Sequence, residues 1–210
     1  MMELISHDPV KYEIWHELLK REWIAYKQSP VGVFSVDGYI VAEEVGRLIN
    51  QYNPKTCLDI GCGCLSLPTY MKTAKDVKWF GVDPLAGDQL RQFNFLRGCA
   101  ENLPYSNNFF HSVLFASSID HLLDPCIALR EAWRVLKSGA YIFIWFTNRV
   151  NAPAYKKQGR IPFNKMHLWG FNDIILRQII EQCGFSVKEI KILDSQECLL
   201  IGNKKHNAND

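Results

Sequence analysis

One acid and two glycines in a short stretch are the residues of this sequence best suited to chemistry. Asp59 lies in the strand-like stretch 57–60, and Gly61 and Gly63 follow it directly. Residues 66–68, Ser-Leu-Pro, then predict the start of a helix. A strand that ends at a glycine turn and leads into a helix presents unpaired N–H groups and a positive dipole end. The stretch therefore predicts a site for an anionic or carboxylate-bearing ligand.

A second acid, Asp83, ends the next strand-like stretch, Val77–Val82, about twenty residues further along the chain. In open α/β sheets, an acid at this place holds the two hydroxyl groups of a ribose. Asp59, the glycine turn and Asp83 together predict a nucleoside site.

The length and composition of the chain predict one domain with a large hydrophobic core, because it has 210 residues and is 48% hydrophobic. The net charge of +2 comes from scattered residues, so neither nucleic acid nor a membrane surface is an expected partner. No apolar run reaches the roughly 18 residues that span a bilayer, and the N-terminus does not resemble a signal peptide. We expect a cytoplasmic protein, and the sequence does not indicate its oligomeric state.

The seven cysteines are odd in number, and without an export signal they are expected to be reduced. Cys62 and Cys64 are close enough to suggest a metal, but zinc needs about four ligands and no second close pair occurs. Small residues packed in a tight turn are the favoured interpretation. We therefore predict no metal site.

Two helices are predicted before the glycine turn. Residues 8–28 carry apolar side chains at a helical period, with Asp8 as a cap and Pro9 in the first turn. This helix either packs as core, which is favoured, or lies across the site as a lid. The second helix is predicted over Tyr39–Asn50. We divide the chain into an N-terminal helical cap (1–38), a main domain (39–203) and a disordered tail (204–210).

Strands and helices alternate along the main domain. Beyond the two strands above, strands are predicted over 112–116, 141–146, 186–193 and 198–202, and helices over 66–73, 125–137 and 172–183, with one or two helical turns around Gln89. The pattern predicts an α/β fold: a Rossmann-like, doubly wound, mostly parallel sheet with an antiparallel C-terminal strand, in three α/β/α layers. Residues 147–167 lack periodicity, and so long a loop is usually functional or disordered.

Over roughly residues 39–202 the sequence resembles the class I S-adenosylmethionine-dependent methyltransferases. LDIGCG (58–63) is similar to the first motif of that family, and VDP (82–84) to its second-strand acid. AENLPYSNNFFHSVL (100–114) and EAWRVLKSGAYIFI (131–144) resemble the segments that follow in order. ASSIDHLLDP (116–125) is similar to a small-molecule or glycan branch of the family. The resemblance implies S-adenosylmethionine as cofactor and a small molecule or sugar hydroxyl as acceptor, with O-methylation favoured.

The resemblance also implies which residues hold the cofactor. Asp59 and Gly61 would hold its amino acid end, and Gly63 would let the backbone come close. Asp83 would accept from both ribose hydroxyls, and Leu85 would lie against the adenine.

Four more residues complete the implied cofactor site. The backbone of Ala100, together with Glu101, would face the adenine edge. Ser117 and Ser118 would line the methionine portion. For each implied residue the alternative is an ordinary turn or strand-end role.

Three residues depart from the family pattern. Leu65 stands where a third glycine is frequent, Cys99 where an acid is, and His111 where an aspartate is. Leu65 would crowd the turn, and Cys99 cannot accept strongly from an adenine amino group. These departures motivate one alternative, a methyltransferase fold that binds a ligand or partner without turnover.

Methyl transfer from a sulfonium requires alignment of the acceptor and exclusion of water, and a hydroxyl acceptor also needs a base. His121, beside Asp120, is the first candidate for that base, and His167 is the second. The alternative is that Asp120 caps the next turn and His121 bonds to backbone.

Aromatic residues offer possible walls for a substrate pocket, although core packing is favoured for most of them; they are Trp15, Trp23, Tyr26, Phe163 and Trp169.

A nicotinamide oxidoreductase is the other alternative, and it is less favoured for two reasons. Its glycine fingerprint requires glycine where Ser66 stands. In addition, no tyrosine is followed by a lysine four residues later.

Overall fold

The computed structural model describes residues 8–28, 41–85, 90–153 and 162–205. Its elements are, in chain order, α1 (Pro9–Gln28), α2 (Val41–Gln51), β1 (Thr56–Ile60), α3 (Thr69–Thr73), β2 (Lys78–Asp83), β3 (Asn94–Arg97), β4 (Phe110–Ala116), a 3₁₀ turn (Ile119–His121), α4 (Pro125–Val135), β5 (Leu136–Thr147), α5 (Asp173–Gln182), β6 (Phe185–Ile192) and β7 (Glu197–Lys204). The predicted turns around Gln89 and part of the aperiodic stretch, residues 154–161, lie outside the described residues.

Seven strands form one sheet in the order β3-β2-β1-β4-β5-β7-β6. The first five pair in parallel, and β7 pairs antiparallel with both β5 and β6. The predicted fold, with its antiparallel C-terminal strand, is therefore confirmed. The chain moves outward from β1 to β3 and then returns to place β4 on the other side of β1. The carboxyl ends of β1 and β4 thus flank the crevice in which open α/β sheets bind ligands.

Both faces of the sheet are buried. Along β4, Val113 and Phe115 pack into one hydrophobic cluster with α1, α4 and α5, whereas Leu114 packs into a second cluster with α2 and α3. A strand buried on both faces needs a continuous apolar run rather than an alternating one. This explains why the three layers stack helix, sheet, helix.

The two helices that flank the C-terminal half of the sheet have clear N-terminal caps. The carboxylate of Asp124 accepts from the N–H groups of Cys126 and Ile127 at 3.0 and 3.1 Å, and Pro125 occupies the first turn of α4. Asn172 caps α5 by accepting from Ile175 N at 2.8 Å. Side-chain caps of this kind satisfy the first N–H groups of a helix, which have no partner within the helix itself.

The boundary between α4 and β5 differs from the prediction. The sequence predicted a helix through Lys137 that ends at Ser138-Gly139, but α4 ends at Val135 and β5 begins at Leu136. Leu136 is fully buried and pairs with Phe110 of β4, so strand pairing overrides the local helix signal.

The N-terminal helix packs directly onto the main domain. Trp15 and Leu18 belong to the same hydrophobic cluster as β1 and β4, and Lys11 forms an ion pair with Asp124 at 2.8 Å. At the other end of the chain, Lys204, which the sequence analysis assigned to the tail, is the last residue of β7. None of the described helices has both the length and the apolar character needed to cross a membrane.

Candidate cofactor and substrate site

The turn after β1 requires both of its glycines. Gly61 and Gly63 have φ angles of +79° and +65°, values that side chains disfavour. A Cβ atom on Gly61 would also lie 2.5 Å from the Cβ of Ser118, at the end of β4. The turn therefore needs glycine at position 61, where its backbone passes close to Ser118.

The predicted helix start at Ser66 is wrong, because α3 begins only at Thr69 and has five residues. Pro68 precedes it and makes no side-chain cap. Two amide groups of the turn are paired: Gly61 and Cys62 donate to Val82 O at 2.8 and 3.3 Å. The helix therefore begins six residues after Gly63 rather than directly at the turn.

The glycine turn and Asp83 lie side by side. Gly63 N donates to Asp83 Oδ2 at 2.9 Å, and Leu85 N donates to Asp83 Oδ1 at 2.8 Å. Each carboxylate oxygen can accept more than one hydrogen bond. The two sequence features predicted for one nucleoside thus share a single site.

A cavity of about 610 Å³ opens at this place. Nine of the eleven predicted site residues line it: Gly61, Gly63, Asp83, Leu85, Ala100, Glu101, Ser117, Ser118 and His121. Asp59 and Asp120 are the two that do not.

Asp59 lies behind the turn rather than in the cavity wall. It is fully buried, its Oδ2 accepts from Tyr70 Oη at 2.7 Å, and its Oδ1 has no hydrogen-bond partner among the described residues. Burial raises the pKa of Asp59 to about 7, although the Tyr70 hydroxyl opposes the rise. Tyr70 itself lines the cavity, so Asp59 contacts the cavity wall through that side chain.

Ser117 and Ser118 connect the ends of neighbouring strands. Ser118 Oγ donates to Ile60 O at 2.5 Å, which ties β4 to the end of β1. Ser117 has a φ of +54°, which is uncommon for a residue with a side chain, and its N–H donates to Trp145 O at 2.9 Å. Such strained positions concentrate where ligands bind.

The cavity wall also contains Cys99, Ala100 and Glu101. Glu101 Oε1 accepts from Asp124 N at 3.0 Å, so this carboxylate is also bound to the loop before α4. Burial raises the pKa of Cys99 to about 11, which leaves a neutral thiol with little capacity to accept a hydrogen bond. Cys99, one of the three residues that depart from the family pattern, therefore lies in the cavity wall.

Leu65 and His111, the other two residues that depart from the family pattern, lie at different places. Leu65 lines the cavity, and its carbonyl accepts from Arg91 Nη1 at 2.6 Å. His111 lies near the start of β4, where its Nδ1 is 2.9 Å from Thr56 Oγ1, and it is not part of the cavity wall. His111 therefore does not form part of the site.

His121 lies between two carboxylates. Its Nδ1 pairs with Glu22 Oε1 of α1, and its Nε2 lies 3.6 Å from Asp120 Oδ1. Burial acts to lower the pKa of His121, but the charges of Glu22 and Asp120 outweigh it and raise the pKa to about 9. The predicted general base is therefore an imidazolium at neutral pH, a form that cannot accept a proton.

Asp120 is buried and lies close to three side chains, whereas Asp124 caps α4. Besides His121, its neighbours are Arg149 Nη2 at 3.3 Å and His167 Nε2 at 3.6 Å from Oδ2. Burial lowers the pKa of His167 to about 4, so this second candidate base is neutral. Asp120 thus contacts both candidate histidines.

Two residues of this network were missed by sequence reasoning. Glu22 lies on the buried face of α1, in line with Trp15, Leu18 and Ala25. An acid on an otherwise apolar helical face was the signal that could have revealed it. Arg149 lies in the aperiodic stretch, where no pattern marks it.

The aromatic residues are divided between wall and core. Trp15 and Tyr26 line the cavity from α1, whereas Trp169 is buried and donates to Leu122 O at 2.7 Å. The guanidinium carbon of Arg149 lies 5.2 Å from the centre of the Phe163 ring, and Lys27 Nζ lies 4.9 Å from the centre of the Trp23 ring. α1 therefore packs as core and also forms one wall of the site.

Comparison with known proteins supports the family assignment. Residues 58–144 match the family described as "Methyltransferase domain". An O-methyltransferase of Aspergillus nomiae is 28% identical over 116 residues, covering 50% of this chain and 52% of the relative. An uncharacterized methyltransferase of Schizosaccharomyces pombe is 26% identical over 158 residues, covering 59% and 54%. The chain spans about half the length of these curated relatives.

A solved structure shows the same fold over nearly the whole chain. The 1,6-didemethyltoxoflavin-N1-methyltransferase of Burkholderia thailandensis, with bound 1,6-didemethyltoxoflavin and S-adenosylhomocysteine, matches with a TM-score of 0.71. The two proteins are 12% identical, and the match covers 92% of this chain and 90% of the other. Residues 58–144 are thus similar to a methyltransferase domain, and the chain shares the fold of a solved methyltransferase.

Proposed function

We propose that this chain transfers a methyl group from S-adenosylmethionine to a small-molecule acceptor, with a hydroxyl oxygen, such as that of a sugar, as the favoured target. The observation that carries the proposal is the 2.9 Å hydrogen bond between Gly63 N and Asp83 Oδ2 in the wall of a cavity of about 610 Å³. Pockets for small ligands occupy about 300–1,000 Å³. The cavity has room for a nucleoside and a modest acceptor.

We further propose that residues near the carboxyl ends of the parallel strands bind the cofactor. Asp83 would hold the ribose, Gly61 and Gly63 would let the backbone approach, and Leu85 and Ala100 would face the adenine. Their shared position at the carboxyl ends of the parallel strands supports these roles. Asp59, behind Tyr70, would act by fixing the turn rather than by direct contact.

The charge of the cavity wall favours a neutral or cationic acceptor over nucleic acid. Among the described residues, two cationic side chains, Arg149 and His121, line the cavity, against five acids, Glu22, Asp83, Glu101, Asp194 and Glu197. Nucleic acid binding depends on clustered cationic side chains that neutralise phosphates, and this wall has the opposite balance.

The experiment that tests the proposal has two stages. Isothermal titration calorimetry should show binding of S-adenosylmethionine and S-adenosylhomocysteine but not of a nicotinamide dinucleotide. Transfer of a tritiated methyl group to a panel of hydroxyl, amine and carboxyl acceptors, with mass spectrometry of the product, should then identify the acceptor atom. If S-adenosylmethionine does not bind, the proposal is wrong.

A second candidate function is ligand binding without turnover. It is favoured by the imidazolium state of His121 and by the presence of Leu65 and Cys99 in the cavity wall. Binding of both cofactor forms, with no transfer to any acceptor in the panel across the pH range, would favour this candidate over the enzyme.

A further inference from the structure

Three side chains with metal-binding atoms converge beside the cavity. The candidate ligand atoms of Asp120, His121 and His167 all lie within 4.8 Å of one another. His121 Nε2 is 3.6 Å from Asp120 Oδ1, and His167 Nε2 is 3.6 Å from Asp120 Oδ2. Zinc–nitrogen bonds of roughly 2.0–2.1 Å in tetrahedral geometry place neighbouring ligand atoms about 3.4 Å apart. Each Nε2 atom is close to that distance from one Asp120 oxygen, His121 from Oδ1 and His167 from Oδ2.

Both histidines are also oriented in the way that metal ligands are. The Nδ1 atom of His121 is bound to Glu22 Oε1, and the Nδ1 atom of His167 lies 2.9 Å from Asn164 Oδ1. Metal-bound histidines almost always donate their other ring N–H to a carboxylate or carbonyl oxygen, which fixes the tautomer and the ring orientation. Glu22 and Asn164 supply those oxygens, so both Nε2 atoms face Asp120.

The positively charged side chain of Arg149 already lies beside Asp120 and His167. Arg149 Nη2 lies 3.3 Å from both Asp120 Oδ2 and His167 Nε2. The guanidinium of Arg149 also lies 5.2 Å from the Phe163 ring and lines the cavity. The cluster therefore attracts a cation, and a metal ion would compete with this guanidinium for the same two atoms.

We propose that Asp120, His121 and His167 form a binding site for a divalent transition metal ion such as Zn²⁺, which displaces Arg149 toward the cavity. Two imidazole nitrogens and one carboxylate suit zinc and its neighbours in the first transition row. Three protein ligands leave a fourth position, and since His121 and His167 both line the cavity, that position faces the space where an acceptor would bind. The site requires no cofactor, so it does not depend on the proposed methyl transfer.

The test is calorimetric titration of Zn²⁺ into the metal-free full chain at neutral pH, without S-adenosylmethionine. The wild-type chain should bind one equivalent. His121→Ala and His167→Ala should each weaken binding by at least about a hundredfold, and Glu22→Gln by the roughly ten- to hundredfold typical of residues that orient a ligand. Arg149→Ala should bind Zn²⁺ more tightly than the wild type, because the competing cation is gone.

Matched controls separate this site from others on the chain. His16→Ala and His111→Ala change histidines outside the cluster and should leave Zn²⁺ affinity unchanged. Circular dichroism melts identify any variant that fails to fold, and for such a position the Gln variant is used instead. Cys62, Cys64 and Cys99 line the same cavity, so Co²⁺ absorption spectra, which differ between thiolate and imidazole ligands, give a second readout.

The proposal fails if neither the wild type nor Arg149→Ala binds Zn²⁺. It also fails if His167→Ala binds as tightly as the wild type, or if the Co²⁺ spectrum shows thiolate ligation that disappears when the three cysteines are replaced by serine.

Discussion

Glu22 and His121 lie 99 residues apart in sequence and form an ion pair in the wall of the cavity. Two more contacts join the same surfaces: Trp15 Nε1 donates to His121 O at 2.9 Å, and Lys11 pairs with Asp124 at 2.8 Å. Movement of α1 as a lid would have to break all three. α1 is therefore a fixed wall of the site in this structure.

We expect Asp83→Asn to weaken S-adenosylmethionine binding by roughly ten- to hundredfold. Hydrogen bonds to a charged group contribute about 1.5–3 kcal/mol, and the amide keeps the shape of the side chain but not its charge. Calorimetric titration measures the change. Asp76→Asn, which alters an exposed acid in the loop before β2, is the matched control. Equal affinity of Asp83→Asn and wild type would exclude the ribose-binding role.

Gly61→Ala should destabilise the fold more than Gly63→Ala. Both positions have left-handed backbone, which costs a side chain about 1–2 kcal/mol. At Gly61 the new Cβ would also lie 2.5 Å from Ser118 Cβ, whereas at Gly63 the nearest of the neighbouring atoms is Tyr26 Oη, at 3.6 Å. Urea denaturation of both variants gives the two free energies of unfolding. The reverse order would show that the turn relaxes away from β4.

The contribution of Asp59 to the free energy of unfolding should fall as pH rises from about 4 to about 7. Burial raises the pKa of Asp59 in the fold from 3.8 to about 7. Between these values the folded carboxyl stays protonated while the unfolded one ionises, so unfolding releases a proton and becomes easier as pH rises. Above pH 7 this contribution is constant.

Asp59→Asn removes that titration and retains an oxygen that accepts from Tyr70. We expect the variant to be more stable than wild type at pH 7, and its gain in stability over wild type to grow between pH 4 and 7. Urea denaturation at several pH values tests this. A variant that loses stability at neutral pH would show that the Asp59 carboxylate is needed in its charged form.

His121→Ala should lower the methyl-transfer rate while leaving S-adenosylmethionine affinity nearly unchanged. His121 contacts Glu22 and Asp120 rather than the residues beside Asp83, so its loss affects the acceptor side of the cavity. Turnover at saturating cofactor and a calorimetric affinity separate the two effects. His16→Ala is the control, and an undiminished rate in His121→Ala would remove this residue from catalysis.

Much of the fold was predictable because its signals are local. Asp8, Asp124 and Asn172 occupy helix N-terminal positions that they satisfy in the structure, and the apolar run of β4 is buried on both faces as expected. Two boundaries were not predictable. Leu136 continues a helical pattern, but pairing with Phe110 makes it a strand residue, and Pro68 delays the helix expected at Ser66.

The site was predictable in part. Gly63 and Asp83 follow from strand ends, since parallel strands bring their carboxyl ends to one edge of the sheet. Asp59 could not be distinguished from a residue of the wall, because the alternation of a buried strand does not show which face meets the ligand. Arg149 and Glu22 reach the site through tertiary packing, which spacing along the chain does not encode.

The match to the methyltransferase family covers residues 58–144, whereas α1 ends at Gln28. Trp15, Glu22 and Tyr26 nevertheless line the cavity. The cavity wall is therefore formed partly by strand ends within the matched segment and partly by the first helix, which lies outside it. We expect a chimaera that exchanges only this helix to change which small molecules fit the cavity, while the wall formed by the strand ends stays intact.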